Sequence, residues 1–471
     1  MIPPGNPLRI YEILIDRFAN LSGAEIAGSP VYGKEGSCYF GGCIAGIEHH
    51  LAGLHRSGYT HILLTPFMLG DLNDMTSYHG YHIVDLGRLD PRLVAGWNGK
   101  GSPPSDTELE GIFQHFLNTL AQNDLKLILD VTPNHVVPAP CPDDPRAPPT
   151  GSLFVRRQVA QPKGDDLVPF LHFDFAPIRK LDLGLPACRN YLADTISRWS
   201  THPVVDMVRF DHAIGVEPHH LGALMAAIRQ RTPHPLRFVA EVNLVGIRED
   251  ALWTLAPTVA ELIRQDGHHP PGALMTISTR CFEQVRALYQ ALGIEYFFDF
   301  NFREAAVRHV AAAELHRPVP AVPLPPAGCI AFLDNHDVDR FAMAVAYRMA
   351  CLQAGVEELD WETPKQRDSI TGVQLSGDQY ARIMKEGLRL LQHAAAQGAS
   401  VLAYQGDEYP DCPHLQQSLL WLAAERTEGW GDLRFRQCMR WPGEEALRWT
   451  ARETRYVRGL KQLVPMGLWT Y

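Results

Sequence analysis

Four stretches of this chain end an apolar run on a cluster of polar side chains: LILDVTPNHV (127–136), DMVRFDHA (206–213), FVAEVN (238–243) and FLDNHDVDRF (332–341). Between them they carry Asp130, Asn134 and His135, then Arg209 and Asp211, then Glu241, then Asn335, His336 and Asp337. Arg209 and Asp211 are two apart, so on a strand both side chains point to one side, where the guanidinium favours an ionised carboxylate. Glu241 follows Phe238, Val239 and Ala240. Such an enclosed setting raises a carboxyl pKa towards neutrality and lets the group hold a proton for a departing oxygen. One ionised and one protonated carboxyl are the pair that cleaves a glycosidic bond, and a gap of about 5 to 5.5 Å between them would give retention through a covalent intermediate. Arg209 and Asp211 would equally suit a buried ion pair that only holds a sheet together.

The histidines and aromatics decide less on their own. His135 and His336 each follow an Asn at the end of an apolar run and suit neutral imidazoles donating hydrogen bonds to sugar hydroxyls, although a single such His more often serves structure. SYHGYHIVDLGRLDPR (77–92) supplies His79 and Tyr81, whose ring can stack on a pyranose; Tyr78 and Tyr81 can also simply pack the loop. QGDE at 405–408 either supports the site or turns a loop. Cys38 and Cys43 would make half of a zinc site, but no second close pair follows, so no metal site is assigned. Gly-rich YFGGC (39–43) lacks the spacing of a phosphate loop, and no organic cofactor is expected.

Placing such clusters on one surface requires elements that alternate. Apolar, β-rich runs at Ile10–Phe18, His61–Phe67, Lys126–Thr132, Asp206–Phe210, Arg237–Glu241, Glu295–Phe300, Cys329–Leu333 and Ser400–Tyr404 read as strands. Amphipathic stretches between them read as helices: one behind a Ser105/Glu108 capping box, and others at Cys188–Trp199, Leu221–Gln230, Cys281–Leu292 and Tyr380–Ala395. The alternation predicts an α/β fold, a (β/α)8 TIM barrel, whose C-terminal strand ends gather all four clusters on one face. An irregular, Pro- and Asp-rich segment from 136 to 182 reads as a domain B inserted after the third strand, with residues 1–135 and 183–471 forming the barrel. PVPAVPLPP (318–326) reads as a stiff connector into the seventh strand.

Composition narrows the partners. With 46% hydrophobic and 20% charged residues, the 471-residue chain can bury a large core. Its net charge of −10 repels nucleic acid and anionic membranes, so a neutral ligand suits it better. No run of eighteen apolar residues and no signal-like N-terminus occur, which makes a cytoplasmic location the expectation, and nine scattered cysteines suggest reduced thiols. Oligomeric state is not encoded in these features.

Taken in order, the clusters resemble the α-amylase superfamily, glycoside hydrolase family 13. DVTPNH, RFD, AEV and DNHD are similar to its four conserved regions, and YEILIDRF, SYHGY and DPR to further family patterns, so the likeness runs from about Ile10 to Glu408. The resemblance implies Asp211 as nucleophile, Glu241 as acid/base and Asp337 as the third carboxylate that holds and distorts the sugar. It also implies that His79, Tyr81, His135, Arg209 and His336 line the subsite for the reacting glucose. The implied activity is retaining hydrolysis of α-glucosidic bonds in oligosaccharides or small glucosides, with glucan transfer as the alternative and a silent carbohydrate-binding subunit as a third reading. Two departures stand out. Ile214 and Gly215 occupy the places where many family amylases have Lys-His, so the usual calcium site is not supported. After the expected last helix, Arg455–Leu463, few residues remain for a C-terminal β-sandwich, which is expected to be absent or truncated.

Overall fold

Hydrogen bonding closes eight parallel strands into a barrel. They are β1 (Arg9–Ile13), β2 (His61–Leu64), β3 (Lys126–Val131), β4 (Val205–Phe210), β5 (Arg237–Ala240), β6 (Tyr296–Phe298), β7 (Cys329–Ala331) and β8 (Ser400–Tyr404), each paired with its neighbour in sequence and β8 paired with β1. The structure, a computed structural model, describes residues 7–24, 26, 38–74, 76–137, 179–245, 247, 252, 255–267, 277–356 and 375–405. All eight predicted strands form, several of them shorter than the apolar run suggests. In the first, pairing stops at Ile13 and a 3-10 turn, Ile15–Arg17, follows. There Asp16 turns back to accept hydrogen bonds from the backbone N–H groups of Phe40 and Gly41.

The two-residue period of the strands sorts the side chains. Ile10, Leu63, Ile128, Met207, Val239 and Leu402 pack together in the barrel lumen, whereas Tyr11, Ile13, Ile62, Leu64, Leu127 and Leu129 join the larger core under the helices. Two residues beyond a lumen position, the next inward side chain reaches the C-terminal mouth. Glu12, Asp130, Arg209 and Glu241 stand at those places, and Asp211 follows Arg209 by the same step.

The outer layer follows from local signals. Asp106–Gln122 begins with the predicted capping box, Ser105 Oγ accepting from Glu108 N at 3.3 Å and Glu108 Oε2 accepting from Ser105 N at 2.7 Å, and it buries Leu109, Phe113, Phe116, Leu117 and Leu120. The other predicted helices appear as Pro186–Trp199, Pro218–Arg231, Thr279–Ala291 and Gly377–Ala396. They start earlier than the apolar pattern because Pro186 and Pro218 occupy first-turn positions and Ser278 and Ser376 cap the other two. Helices Pro257–Asp266, Phe300–Glu314 and Phe341–Ala354 and an antiparallel ribbon of Met68–Gly70 with Ile83–Leu89 were not predicted.

Of the segment 136–182 expected as domain B, residues 136, 137 and 179–182 are described, and His135–Val136 pairs antiparallel with Arg179–Lys180. The rest of that segment, residues 406–408 and the expected last helix lie outside the described residues. Residues 318–326 run without regular hydrogen bonding, and Pro320 O is joined to His309 Nδ1 at 2.8 Å. Among the described residues there is no disulfide, and no helix is long and apolar enough to cross a membrane.

Candidate active site

Arg209 is the hub of the mouth. From β4 its Nη1 donates to Asp130 Oδ2 at 2.7 Å and to Asp211 Oδ1 at 2.8 Å, while Nη2 donates to Glu241 Oε2 at 2.8 Å and lies 3.9 Å from Asp337 Oδ2. Asp211, Glu241 and Asp337 each bring a carboxylate oxygen to within 4.8 Å of the other two. Glu241 Oε2 accepts a second bond, from His212 N at 3.0 Å. His212 reaches that position with φ 43, a left-handed conformation uncommon for a side chain of this size. One oxygen of each principal carboxylate is therefore held, Asp211 Oδ1 and Glu241 Oε2.

The other side of the mouth comes from the loop after β2 and the turn after β7. Tyr81 Oη donates to Asp130 Oδ2 at 2.7 Å, accepts from Arg209 Nη1 at 3.1 Å and meets His336 Nε2 at 2.5 Å. His336 Nε2 is also 2.9 Å from Asp337 Oδ2, and its Nδ1 bonds Glu12 Oε1. Within DNHDVDR the acidic residues divide the work. Asp334 Oδ2 accepts from Phe341 N at 3.1 Å and anchors the following helix, whereas Asn335 Oδ1 accepts from Asp337 N at 2.9 Å and turns Asp337 towards the cluster.

Six of the eight predicted site residues, Arg209, Asp211, Glu241, Tyr81, His336 and Asp337, thus share one network of hydrogen bonds and ion pairs. His79 and His135 attach to it through Tyr81: His79 Nδ1 accepts from Tyr81 N at 3.1 Å, and the His135 ring bonds the Tyr81 backbone. The Tyr81 ring itself stacks on His336, with centroids 5.2 Å apart and planes 14° apart. The turn between His79 and Tyr81 requires glycine. Gly80 has φ +85, and a Cβ there would lie 1.8 Å from Pro66 O.

Burial dominates the electrostatics. It pushes Asp211 up to about 6 despite Arg209, and Glu241 up to about 8, where repulsion from Asp211 and Asp337 adds to it. The guanidinium therefore does not keep Asp211 in the ordinary carboxylate range, but the expected order is preserved: Glu241 holds its proton to higher pH. Burial lowers His135 to about 4, so that ring is neutral, as expected. His336 corrects the expectation. Burial alone would lower it, but Asp337 and Glu12 on either side raise it to about 10, and the ring is an imidazolium.

Glu12 and Asp130 belong to the network although neither was singled out as a site residue. Both are buried, at 1% and 0% exposure, and their signal was strand parity, two residues beyond Ile10 and Ile128. The calcium implied by the family resemblance finds a poor fit. Asn134 is buried with neither amide atom bonded among the described residues, but one oxygen falls far short of the six to eight that calcium takes. A Cβ on Gly215 would stand 2.8 Å from Asn134 Oδ1 and 2.5 Å from His212 Cδ2, so a His side chain at 215 would not fit this packing.

No sequence-family model matches the chain, and no curated protein matches it in sequence. Solved structures do. The chain is similar to the α-amylase of Geobacillus thermoleovorans complexed with acarbose, with TM-score 0.55 and 19% identity over 98% of this chain and 80% of that one. It is similar to the cyclic α-maltosyl-(1→6)-maltose hydrolase of Arthrobacter globiformis, with TM-score 0.54 and 17% identity over 98% of this chain and 83% of that one. The cyclomaltodextrin glucanotransferase CldA matches at TM-score 0.54 and 18% identity, over 98% of this chain and 80% of that one. The chain has the α-amylase fold, a (β/α)8 barrel.

Proposed function

We propose that this protein is a retaining α-glycosidase that hydrolyses α-glucosidic bonds in oligosaccharides or small glucosides. The observation that carries the reading is the shared clamp on two carboxyl groups. Arg209 holds Asp211 Oδ1 and Glu241 Oε2, one oxygen from each of Asp211, Glu241 and Asp337 lies within 4.8 Å of the other two, and Asp211 Oδ2 and Glu241 Oε1 are left for chemistry. Two carboxyls clamped side by side on one guanidinium suit double displacement, in which no water has to fit between them during the first step.

In that mechanism Asp211 Oδ2 attacks the anomeric carbon while the proton on Glu241 passes to the departing glycosidic oxygen. Two N–H donors already occupy Oε2, so the proton sits on Oε1. The bond from carbon to the leaving oxygen breaks as the bond to Asp211 forms. Glu241, now ionised, then takes a proton from water, whose oxygen displaces Asp211 and restores the starting configuration. Asp337, held by His336, is placed to bind sugar hydroxyls. Tyr81 and Arg209 brace the carboxylates from within, with His79 and His135 setting the Tyr81 loop.

The similar structures include both a hydrolase and a glucanotransferase. A sugar hydroxyl in place of water in the second step gives transfer, and the same carboxylates serve both outcomes. The test is a time course of products from a panel of α-glucosides, with the anomer followed by NMR, for wild type and Asp211→Asn. Initial release of the α-anomer, or of new α-glucosides, should disappear in the variant, and azide should restore part of the turnover. Binding of glucosides without turnover at any pH would instead make the chain a carbohydrate-binding subunit. Full activity in Asp211→Asn would remove the nucleophile assignment.

A further inference from the structure

Building on that reading of the site, we propose that Glu12 is a positioning residue: it keeps His336 doubly protonated and fixed, so that the ring's Nε2–H holds Asp337 beside Asp211 and Glu241. Glu12 lies on β1, across the mouth from β4 and β5, and none of its side chain would approach a sugar through the ring it touches. Its action passes through His336.

The proton inventory supports this independently of any titration. Tyr81 has one hydroxyl proton, and the nearest acceptor for it is Asp130 Oδ2 at 2.7 Å. His336 Nε2 faces the Tyr81 oxygen and Asp337 Oδ2, and both are then acceptors, so Nε2 must carry a hydrogen. Nδ1 faces Glu12 Oε1, and to a carboxylate it can only donate. A ring that donates from both nitrogens is an imidazolium. Glu12 shows the complementary feature. Its Oε2 is buried with no hydrogen-bond partner among the described residues, so the side chain is turned to His336 through Oε1 alone. Among the described residues the imidazole is the one side-chain partner that Glu12 has, which makes holding the charge on His336 the role of the carboxylate.

Other charged and titratable groups face the same ring. Asp337 adjoins it in sequence, Tyr81 comes from the loop after β2 with His79 behind it, Asp130 from β3 and Asp211 from β4, and Arg209 and Glu241 lie beyond these carboxylates. Asp130 and Asp211 are already engaged by Arg209, and Asp337 is 27% exposed. Glu12 is the fully enclosed anion in direct contact with the imidazole.

The experiment follows the ring nitrogens of histidine-labelled protein by two-bond proton–nitrogen correlation, with the His336 signal identified by its loss in His336→Gln. In wild type both nitrogens should remain protonated through pH 8. In Glu12→Gln the ring should titrate at least about one pH unit lower, and an unchanged titration would overturn the proposal. Asp337→Asn is the second variant, useful if Glu12→Gln does not fold: with Glu12 intact the ring should stay doubly protonated to about pH 8, and a neutral ring would sink the idea. On an α-glucoside that wild type turns over, Glu12→Gln should lose about tenfold in kcat/KM on the alkaline side and little on the acid side. A loss independent of pH would reduce Glu12 to a packing residue. If wild type turns over no α-glucoside, the glycosidase reading fails, and the imidazole titration still decides the role of Glu12.

Discussion

Arg209 touches more acidic groups than it has charge to balance, and that imbalance sets the protonation of the mouth. Five carboxylates, Glu12, Asp130, Asp211, Glu241 and Asp337, surround Arg209 and the His336 imidazolium. The cluster relieves its excess negative charge by keeping a proton, and Glu241, raised to about 8, is where it stays. With Asp211 raised to about 6, kcat/KM should rise through pH 6 and fall through pH 8, a bell that belongs to the coupled pair as a unit. The same shift acts on stability. A carboxyl whose folded pKa lies above its ordinary 4.5 stabilises the fold below that value, and the contribution is lost as the pH rises towards 8. Glu241→Gln has no charge to bury, and its amide oxygen can still accept from Arg209 and His212. Thermal unfolding at pH 5 and pH 8 should therefore show the variant melting above wild type, by about 2 °C or more at pH 8 and by less at pH 5, with hydrolysis abolished. A variant less stable than wild type at pH 8 would mean that Glu241 ionises well below pH 8 and that its charge on Arg209 supports the fold.

At the scale of elements, the loop that carries His79 and Tyr81 is held by charged residues beneath it as well as by the ribbon of Met68–Gly70 with Ile83–Leu89 that closes it. Arg92 is 3% exposed and Asp90 is 1% exposed, and they form a two-bond ion pair with Nη2 to Oδ2 at 2.6 Å and Nε to Oδ1 at 2.9 Å. Arg92 Nη1 donates to Asp71 O and Asp74 O, both at 3.0 Å, and the guanidinium lies 4.2 Å over the Tyr39 ring. Arg92→Met would fill the space but leave the Asp90 carboxylate buried without its cation and two loop carbonyls without a donor. Urea unfolding should register a loss of about 3 to 5 kcal/mol, and kcat/KM should fall at least tenfold because Tyr81 loses its placement. Activity unchanged at that cost in stability would show that the loop keeps its shape without Arg92. The legibility of the sequence differs among these elements for physical reasons. Lys126–Val131 and Val205–Phe210 were readable because a buried strand in a parallel barrel is a short apolar run that ends in polar residues. Phe341–Ala354 was not, because FAMAVAYRMACLQA is apolar on almost every side and offers no contrast at a helical period. Asp211, Glu241 and Asp337 announced themselves at strand ends, whereas Glu12 lies inside the run RIYEI and is visible only once Ile10 is known to face the lumen.

The whole barrel separates its chemistry from its support by placing them at opposite mouths. At the N-terminal ends of the strands, His61 on β2, Asp206 on β4, Arg237 on β5 and Tyr296 on β6 form a second polar network beneath the apolar lumen. His61 Nε2 and Asp206 Oδ2 are 3.0 Å apart, Arg237 Nη2 donates to the same oxygen, and Arg237 Nη1 donates to Tyr296 Oη at 3.1 Å. Asp206 owes its position to an irregularity in β4. The register against β3 passes from Leu127↔Val205 to Ile128↔Met207, and Asp206 is the extra residue, in the manner of a bulge that re-aims one side chain. Burial would raise the Asp206 carboxyl, but hydrogen bonds from His61 and Arg237 prevail and lower it to about 2. A depressed folded pKa contributes stability above the ordinary 3.8, and that contribution is lost as the pH falls towards 2. Arg237→Leu removes a charge-assisted donor from this end and touches nothing at the other. Chemical denaturation at pH 6 should show a loss of about 1 to 3 kcal/mol, and the difference from wild type should shrink as the pH is lowered towards 3. Turnover at saturating and limiting glucoside should match wild type, because the lumen between the mouths is filled by the apolar side chains of Ile10, Leu63, Ile128, Met207, Val239 and Leu402. A change in kcat with stability preserved would instead mean that the two networks communicate through the strands, and that the barrel cannot be divided into a working face and a supporting one.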